Sequence, residues 1–342
     1  MLAPLFSGGD TAGGWNPRRF SAVRQHACFL GDLKNMAAFK ARFIGVHHCR
    51  RDQMEIQKVM VVGSGLMGSG IAQVCAQAGI DVYLNDVNRE ALDRAVQSIS
   101  WSVGKFLEKG KLNEAKEVIL ARIHPVSDFS AGAEVDLAIE AVFEKIDLKK
   151  EIFGQLDHHC QPRALIASNT SAIPITELAA MTQRPHQVLG IHFFSPVPMM
   201  QAVEVIKGIA TTDETAQIGK DFVKKIGKEP IMVNRDVAGF VINRINFPST
   251  IEAMKLVEEG VATVEDIDKG LRLASGRKMG IFETGDMVGL DVTFGAMTAM
   301  YQETGDPRFY PPLLLRRKVK AGHLGRKTGK GWYEYDSDGK RK

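Results

Sequence analysis

The sequence predicts an α/β protein in which a doubly wound, mostly parallel sheet is followed by an all-α domain. Three observations lead to this fold class. Short apolar runs rich in β-branched residues alternate with helical stretches over residues 54–236, an order typical of parallel βαβ units. A glycine-rich turn joins the first of these runs to the first helical stretch. After residue 236, helical patterns continue without a further strand-like run before the C-terminal tail.

The predicted strands are short apolar segments bounded by glycine, proline or charged residues. They are residues 58–62, 81–85, 123–126, 136–142, 164–167, 188–193, 202–206 and 231–234. Helices are predicted between several of them, and the first helix has a favourable C-terminal stop at Gly79. These helices are residues 66–78, 89–108, 113–121 and 146–159. Such alternation places the strands side by side in one sheet with helices on its faces.

The rest of the chain is predicted to be a separate helical domain, residues 237–342, with the boundary near Asp236. A helix is expected over residues 239–259, and a second begins at Thr263, a favourable N-cap. Residues 282–303 contain one or two more. Because the apolar faces of these helices exceed what one small bundle needs, we expect a homodimer through this domain.

The basic charge of the chain belongs to a leader at residues 1–53. The leader holds eight Lys and Arg against three Asp, a formal charge of +5, whereas the whole chain carries +4 and the remainder therefore −1. Since the basic excess is confined to the leader, no nucleic-acid surface is expected. The leader has no apolar block of signal-peptide length. We expect a disordered tail or a segment upstream of a start at Met54, and an organellar transit peptide is the alternative.

The cysteines and the apolar runs exclude several classes of protein. Cys28, Cys49, Cys75 and Cys160 have neither C-x-x-C spacing nor the density of a secreted scaffold. We therefore expect reduced thiols in the cytoplasm, or in the mitochondrial matrix if the leader is a transit peptide. The motif His-His-Cys occurs twice, but adjacent helical residues point about 100° apart, so no metal site is expected. No stretch reaches the ~18 consecutive apolar residues of a membrane span.

The glycine-rich turn, Gly63-Ser64-Gly65-Leu66-Met67-Gly68, has the spacing of a dinucleotide fingerprint. Gly63 is expected to make the tight turn, Gly65 to let backbone approach a pyrophosphate, and Gly68 to let the helix pack on the strand. Leu66 and Met67 open the helix, whose free N–H groups attract phosphates. The turn therefore predicts a Rossmann-type domain and a dinucleotide cofactor.

Asp86 determines which dinucleotide is expected. It ends the second predicted strand, about twenty residues after the turn, where its carboxylate can accept from an adenosine ribose hydroxyl. A carboxylate there repels a 2′-phosphate, which favours NAD over NADP. Arg89 is the one nearby residue that favours the phosphate.

Further motifs resemble one enzyme family. They are "SNTSAIPITELA" (168–179), "GIHFFSPVPMMQAVEVIKG" (190–208), "AGFVINRI" (238–245) and "MGIFETGDMVGLD" (279–291). In this order they resemble the L-3-hydroxyacyl-CoA dehydrogenases, especially the short 3-hydroxybutyryl-CoA enzymes. The resemblance covers the chain from about residue 55 to the C-terminal "GRKTGKGWYEY". It implies reversible, NAD-dependent oxidation of a 3-hydroxyacyl-CoA, and a homodimer.

The chemistry of two residues agrees with the resemblance. Oxidation of a secondary alcohol needs a base for the hydroxyl proton, and His is suited to this near neutral pH. His192 ends one predicted strand, and Glu204 lies on the next one. A Glu bonded to the second ring nitrogen fixes the tautomer and stabilises the imidazolium. A histidine on an apolar strand is otherwise a hydrogen-bonded core residue, and the resemblance favours the catalytic interpretation.

Other roles come from the resemblance alone. It implies that Ser171 and Asn243 hold the 3-oxygen and the thioester region of the substrate; the structural alternatives are a helix cap and a helix-interior hydrogen bond. It implies that Glu144, Lys149 and, from the tail, Lys327 contact the cofactor.

The resemblance also assigns Ser102 and Lys109 to coenzyme A, although Lys109 is equally consistent with a solvated helix end. Ser195, another implied cofactor contact, replaces the Asn usual in this family, so its shorter side chain must reach the cofactor or act through water. A dehydrogenase of a free hydroxy acid or sugar acid, and a non-catalytic NAD-binding protein, remain alternatives.

Overall fold

The computed structural model describes residues 54–342; the leader, with its motif at residues 47–49, lies outside them. Within this part of the chain, eight strands form one sheet. The strands are β1 (Lys58–Val62), β2 (Asp81–Asn85), β3 (Ile123–Val126), β4 (Leu137–Glu140), β5 (Leu165–Ser168), β6 (Val188–Phe193), β7 (Ala202–Lys207) and β8 (Glu229–Val233). Their order is β3-β2-β1-β4-β5-β6-β7-β8.

Neighbouring strands are parallel except β6 and β7, which are antiparallel. The order reverses at β1, which lies between β2 and β4. In doubly wound sheets, ligands bind in the crevice at the carboxyl ends of the strands beside such a reversal. The glycine turn that follows β1 and the residues that follow β4 therefore line the expected crevice.

Helices cover both faces of the sheet because its strands are apolar on both sides. In β1, Val59 and Val61 belong to one core cluster, and Met60 and Val62 belong to the other, as a side-chain period of two requires. The helices of this part are α1 (Leu66–Gln77), α2 (Arg89–Glu108), α3 (Lys116–Ala121), α4 (Ile146–His159), α5 (Ile175–Ala179) and α6 (Asp213–Lys225).

Five helices form the C-terminal part of the described chain. They are α7 (Ile242–Glu258), α8 (Val264–Ser275), α9 (Ile281–Val288), α10 (Leu290–Thr304) and α11 (Leu313–Lys320). Phe282, Leu290 and Met297 lie at the centre of their core, which Trp332 and Tyr333 of the tail help to close. No helix within residues 54–342 is both long and apolar enough to cross a membrane.

The predicted fold class is confirmed, with differences at several elements. The helix predicted over 113–121 begins at Lys116, and the one predicted over 239–259 begins at Ile242. Three helices, α5, α6 and α11, were not predicted from the sequence. The division between residues 54–236 and 237–342 stays a prediction.

Candidate active site

The glycine turn has the geometry that a phosphate cradle needs. Gly63 has a φ of +101°, in the region that favours glycine, and its N–H donates to Asn85 O at 2.8 Å. A Cβ on Gly68 would lie 1.7 Å from Gly63 O, so helix α1 can approach the turn only without a side chain there. A Cβ on Gly65 would meet nothing within 4 Å, so this position faces open space. The exposed backbone at Gly65 therefore fits close approach by a ligand phosphate.

Asp86 lies beside this turn, held by hydrogen bonds. Its Oδ2 accepts from the backbone N and the Oγ of Ser64, at 2.9 and 2.7 Å, and its Oδ1 accepts from Asn88 N at 3.0 Å. Burial alone would raise the pKa of Asp86, but these hydrogen bonds outweigh burial and lower the pKa below its usual value. Asp86 is thus ionised at neutral pH. Arg89 makes an exposed ion pair with Asp93 at 3.7 Å.

His192 and Glu204 form a buried pair across the antiparallel strands β6 and β7. The two residues are direct partners in the strand register, and their side chains point to the same face. His192 Nδ1 lies 2.7 Å from Glu204 Oε2. His192 is 3% exposed and Glu204 is fully buried. Because a carboxylate only accepts, Nδ1 carries the proton in the neutral ring and Nε2 keeps its lone pair.

The other oxygen of Glu204 connects this pair to the C-terminal helices. Glu204 Oε1 accepts from the backbone N–H groups of Val241 and Ile242, each at 2.9 Å, where helix α7 begins. A negative charge is favourable at a helix N-terminus. Asn243, the next residue, lies half-buried in the first turn of α7. Glu204 thus fixes both the imidazole and the start of the helix that carries Asn243.

Ser171 contacts the free side of the imidazole. Its Oγ lies 3.1 Å from His192 Nε2, and its N–H donates to Glu144 Oε1 at 3.0 Å. The rings of Phe194 and Phe240 pack against the imidazole, with centroids 4.7 and 5.6 Å from its own. Three of the predicted residues, Ser171, His192 and Glu204, therefore form one hydrogen-bonded series in a largely apolar setting.

Comparison with known proteins places this chain in a family. The family model described as 3-hydroxyacyl-CoA dehydrogenase, NAD binding domain, matches residues 58–237. The model of the C-terminal domain of the same enzymes matches residues 239–335. The chain belongs to the 3-hydroxyacyl-CoA dehydrogenase family. The resemblance inferred from the four motifs is thereby confirmed.

Individual members of the 3-hydroxyacyl-CoA dehydrogenase family align with nearly the whole described chain. A probable 3-hydroxybutyryl-CoA dehydrogenase of Deinococcus radiodurans is 47% identical over 278 residues, which are 81% of this chain and 100% of the relative. A 3-hydroxybutyryl-CoA dehydrogenase of Bradyrhizobium diazoefficiens is 42% identical over 82% of this chain and 96% of its own length. The crystal structure of (S)-3-hydroxybutyryl-CoA dehydrogenase from Ralstonia eutropha has a TM-score of 0.77 at 42% identity, covering 83% of this chain and 100% of that chain.

Glu144 and Lys149, which the family resemblance assigns to the cofactor, lie beside Ser171. Glu144 Oε1 accepts from Thr170 Oγ1 and from the N–H groups of Ser171 and Ala172. Burial alone would raise the pKa of Glu144, but the Lys149 ammonium and these hydrogen bonds bring the pKa below its usual value. Lys149 is 1% exposed, and its Nζ lies 3.2 Å from Glu144 Oε2. The ammonium is thus held inside the protein, and Glu144 lies between it and Ser171.

Sequence reasoning did not find Glu140. This residue ends β4, is fully buried, and accepts from Lys149 Nζ at 2.5 Å. The one available signal was an acidic residue within an otherwise apolar strand, "LAIE".

Asn243 and four further residues that the family resemblance assigns to the site form no part of the hydrogen-bonded series of Ser171, His192 and Glu204. No hydrogen bond or ion pair between residues 54 and 342 joins them to His192 or Glu204. Ser102 lies half-buried on α2, Lys109 is exposed at its C-terminal end, and Ser195 follows β6 half-buried. Lys327 pairs with Asp291 at 2.6 Å, within the C-terminal part. Their roles stay predictions.

The cysteines of the described segment do not form a metal centre. Cys75 and Cys160 are free and buried, and burial raises the pKa of the Cys160 thiol to about 11. No group of three or more His, Cys, Asp and Glu among residues 54–342 is placed to hold a metal ion.

Proposed function

We propose that this chain catalyses the reversible, NAD-dependent oxidation of (S)-3-hydroxybutyryl-CoA, or a related short-chain 3-hydroxyacyl-CoA, to the 3-oxoacyl-CoA. The observation that carries the proposal is the buried contact between His192 Nδ1 and Glu204 Oε2, with Ser171 on the opposite ring nitrogen. Membership of the 3-hydroxyacyl-CoA dehydrogenase family and the names of its bacterial relatives support the substrate class.

His192 is the general base of the proposed oxidation and the general acid of the reduction. NAD supplies the hydride acceptor when bound. Nε2 of His192 takes the hydroxyl proton, while Glu204 holds Nδ1–H and stabilises the cation that forms. In the free protein the Ser171 hydroxyl donates to the Nε2 lone pair; with substrate bound it would donate to the 3-oxygen instead and leave Nε2 free for the hydroxyl proton. Asn243 lies at the start of the helix that Glu204 anchors. The apolar rings around the imidazole exclude water from the proton transfer.

The residues around β1 fit NAD. The open backbone at Gly65 and the free N–H groups of helix α1 are suited to the pyrophosphate. Leu66, which is 72% exposed at the start of helix α1, is a further proposed contact of the cofactor. Asp86, ionised and beside the turn, is the proposed partner of the adenosine ribose. Glu144 and, behind it, Lys149 are proposed for the nicotinamide side.

The proposal also includes the coenzyme A contacts, a homodimer and the cellular compartment. Ser102 and Lys109 are assigned to coenzyme A, where an ammonium suits a phosphate. Exposed apolar side chains of the helical part, among them Val261 (64%) and Leu273 (78%), support a homodimer through this part. Bacterial relatives support a cytoplasmic protein. The mitochondrial alternative depends on residues 1–53.

The proposed function is tested by a steady-state panel of 3-oxoacyl-CoA substrates with NADH, measured beside free 3-oxobutyrate. We expect turnover of 3-oxobutyryl-CoA and at least about 100-fold lower kcat/KM for the free acid, because the acid lacks the coenzyme A contacts. Efficient reduction of the free acid would favour the hydroxy-acid alternative. Absence of turnover with every substrate would favour a non-catalytic NAD-binding protein.

Cofactor choice gives a second prediction. Wild-type protein should prefer NADH to NADPH, and Asp86→Ala should narrow this preference, chiefly by raising the KM for NADH. The physical reason is the loss of the ribose acceptor and of the charge that repels a 2′-phosphate. The measurement is kcat/KM with both cofactors. The control is Glu90→Ala, which removes an exposed carboxylate of helix α2 that pairs with Arg94 rather than Arg89, and which should leave the preference unchanged. Equal efficiency of the wild type with NADH and NADPH would contradict the assignment.

A further inference from the structure

A buried carboxylate without an assigned role lies behind the candidate active site. Glu140 is the last residue of β4, between Val62 of β1 and Ser168 of β5 in the strand register. It is fully buried, at the carboxyl edge of the sheet beside the reversal of strand order. Its Oε1 accepts from the backbone N–H of Val142 at 2.8 Å. In addition, its two oxygens begin two separate series of hydrogen bonds, and both series end on the segment that contains Ser171.

The first series runs through Ser168. Ser168 Oγ donates to Glu140 Oε2 at 2.6 Å. The same hydroxyl accepts from the backbone N–H of Thr170 at 3.0 Å. Between them, Asn169 N donates to the backbone oxygen of Glu140 at 2.8 Å. The start of the segment is therefore fixed to the end of β4.

The second series runs through Lys149 and Glu144. Lys149 Nζ lies 2.5 Å from Glu140 Oε1 and 3.2 Å from Glu144 Oε2. Glu144 in turn accepts from the N–H groups of Ser171 and Ala172, at 3.0 and 3.2 Å. One ammonium thus connects the two carboxylates, and the second carboxylate fixes the backbone on both sides of the Ser171 side chain.

Stability alone is a poor explanation for this cluster. Removing the Glu140 and Lys149 side chains from water is costly, and the attraction between them offsets that cost only in part. Apolar residues of similar volume would serve the core as well. The cluster instead ends on three successive N–H groups, and the Oγ of the middle residue lies 3.1 Å from His192 Nε2.

We propose that Glu140 is a positioning residue of the active site, which fixes residues 170–172 through Ser168 and through Lys149 and Glu144 and so holds Ser171 against His192. The expected effect of Glu140 on kcat rests on the proposed function. The geometric part of the inference, the fixing of residues 170–172, does not depend on which substrate is used.

The kinetic test is a double-mutant cycle of Glu140→Gln and Ser171→Ala, with kcat measured for reduction of 3-oxobutyryl-CoA at saturating NADH. We expect Glu140→Gln to lower kcat by roughly 10- to 100-fold, as misplacement of a reacting group does. In the Ser171→Ala background it should lower kcat less than about 3-fold further, because residues that act through one another are non-additive. Losses that multiply would overturn the inference.

A second measurement needs no turnover. Amide hydrogen exchange at residues 170–172 should be roughly 10- to 100-fold faster in Glu140→Gln than in the wild type, and unchanged exchange would overturn the inference. Faster exchange together with an inactive wild type would support the positioning role and contradict the proposed function. If Glu140→Gln does not fold, Ser168→Ala replaces it in both measurements. It removes one series and keeps the Glu140–Lys149 ion pair, and it should show the same two effects in weaker form.

Asp268→Asn is the matched control. Asp268 is also fully buried and also accepts from two successive backbone N–H groups, those of Phe282 and Glu283 at 2.9 Å each, but it lies in the helical part. Its replacement should lower the Tm and leave kcat of the folded enzyme and exchange at residues 170–172 within about 2-fold of the wild type. An equal loss of kcat in both variants would show a general effect of a buried carboxylate and would overturn the assignment to Glu140.

Discussion

Replacement of His192 by Gln is expected to lower the turnover of 3-oxobutyryl-CoA by about 100- to 10,000-fold, the range that loss of a general acid or base produces. Gln retains a polar side chain opposite Glu204, but it cannot carry the transferred proton. NADH binding should survive, because the glycine turn and Asp86 are untouched. The measurements are kcat with saturating NADH and the Kd of NADH from its fluorescence.

The control for this prediction is His124→Gln. His124 lies on the edge strand β3 with a side chain about half exposed, 3.7 Å from Asp81, and its replacement should leave kcat within about 2-fold of the wild type. Near-normal turnover of His192→Gln would contradict the catalytic assignment. His192 would then be a core histidine whose hydrogen bonds are satisfied by Glu204 and Ser171.

The sheet could be predicted because its signals are local. Each apolar run, and the glycine turn, indicates its own strand, turn or helix from a few neighbouring residues. As a result, β1, β2, β3 and β6 begin and end where predicted. Helix α5, with five residues, is too short to show a helical period. Helix α6 carried readable signals, since Thr212 is its N-cap and acids fill its first turn. These local signals are sufficient to predict α6 from the sequence.

The site could be predicted only in part. A histidine at the end of one strand and a glutamate on the next indicate a pair, but their direct opposition depends on the antiparallel register of β6 and β7. The bonds from Glu204 to the start of α7 span 37 and 38 residues of sequence. Glu140 likewise contacts Lys149 and Ser168, which lie on other elements. No sequence motif indicates that these residues meet. Contacts of this kind follow from the packing of the whole domain.

Replacement of Glu204 by Gln should also slow turnover, by about 10- to 100-fold, and should change its pH dependence. Gln keeps the size of the side chain and removes the negative charge that favours the protonated imidazole. Reduction needs that protonated form, so the pH above which the reduction slows should move downwards. The loss of the charge at the start of α7 should also lower stability by about 0.5–2 kcal/mol. The measurements are the pH profile of kcat/KM and the Tm.

The double variant decides whether His192 and Glu204 act as one unit. If Glu204 works by supporting the charge on His192, then adding Glu204→Gln to His192→Gln should lower kcat by less than about 3-fold, because the imidazole that Glu204 supports is already absent. The decreases in Tm of the two single variants need not be non-additive in the same way, because Glu204 also accepts from the N–H groups of Val241 and Ile242. Multiplied losses in kcat with an unchanged pH profile would mean that Glu204 anchors helix α7 and has no part in the proton transfer.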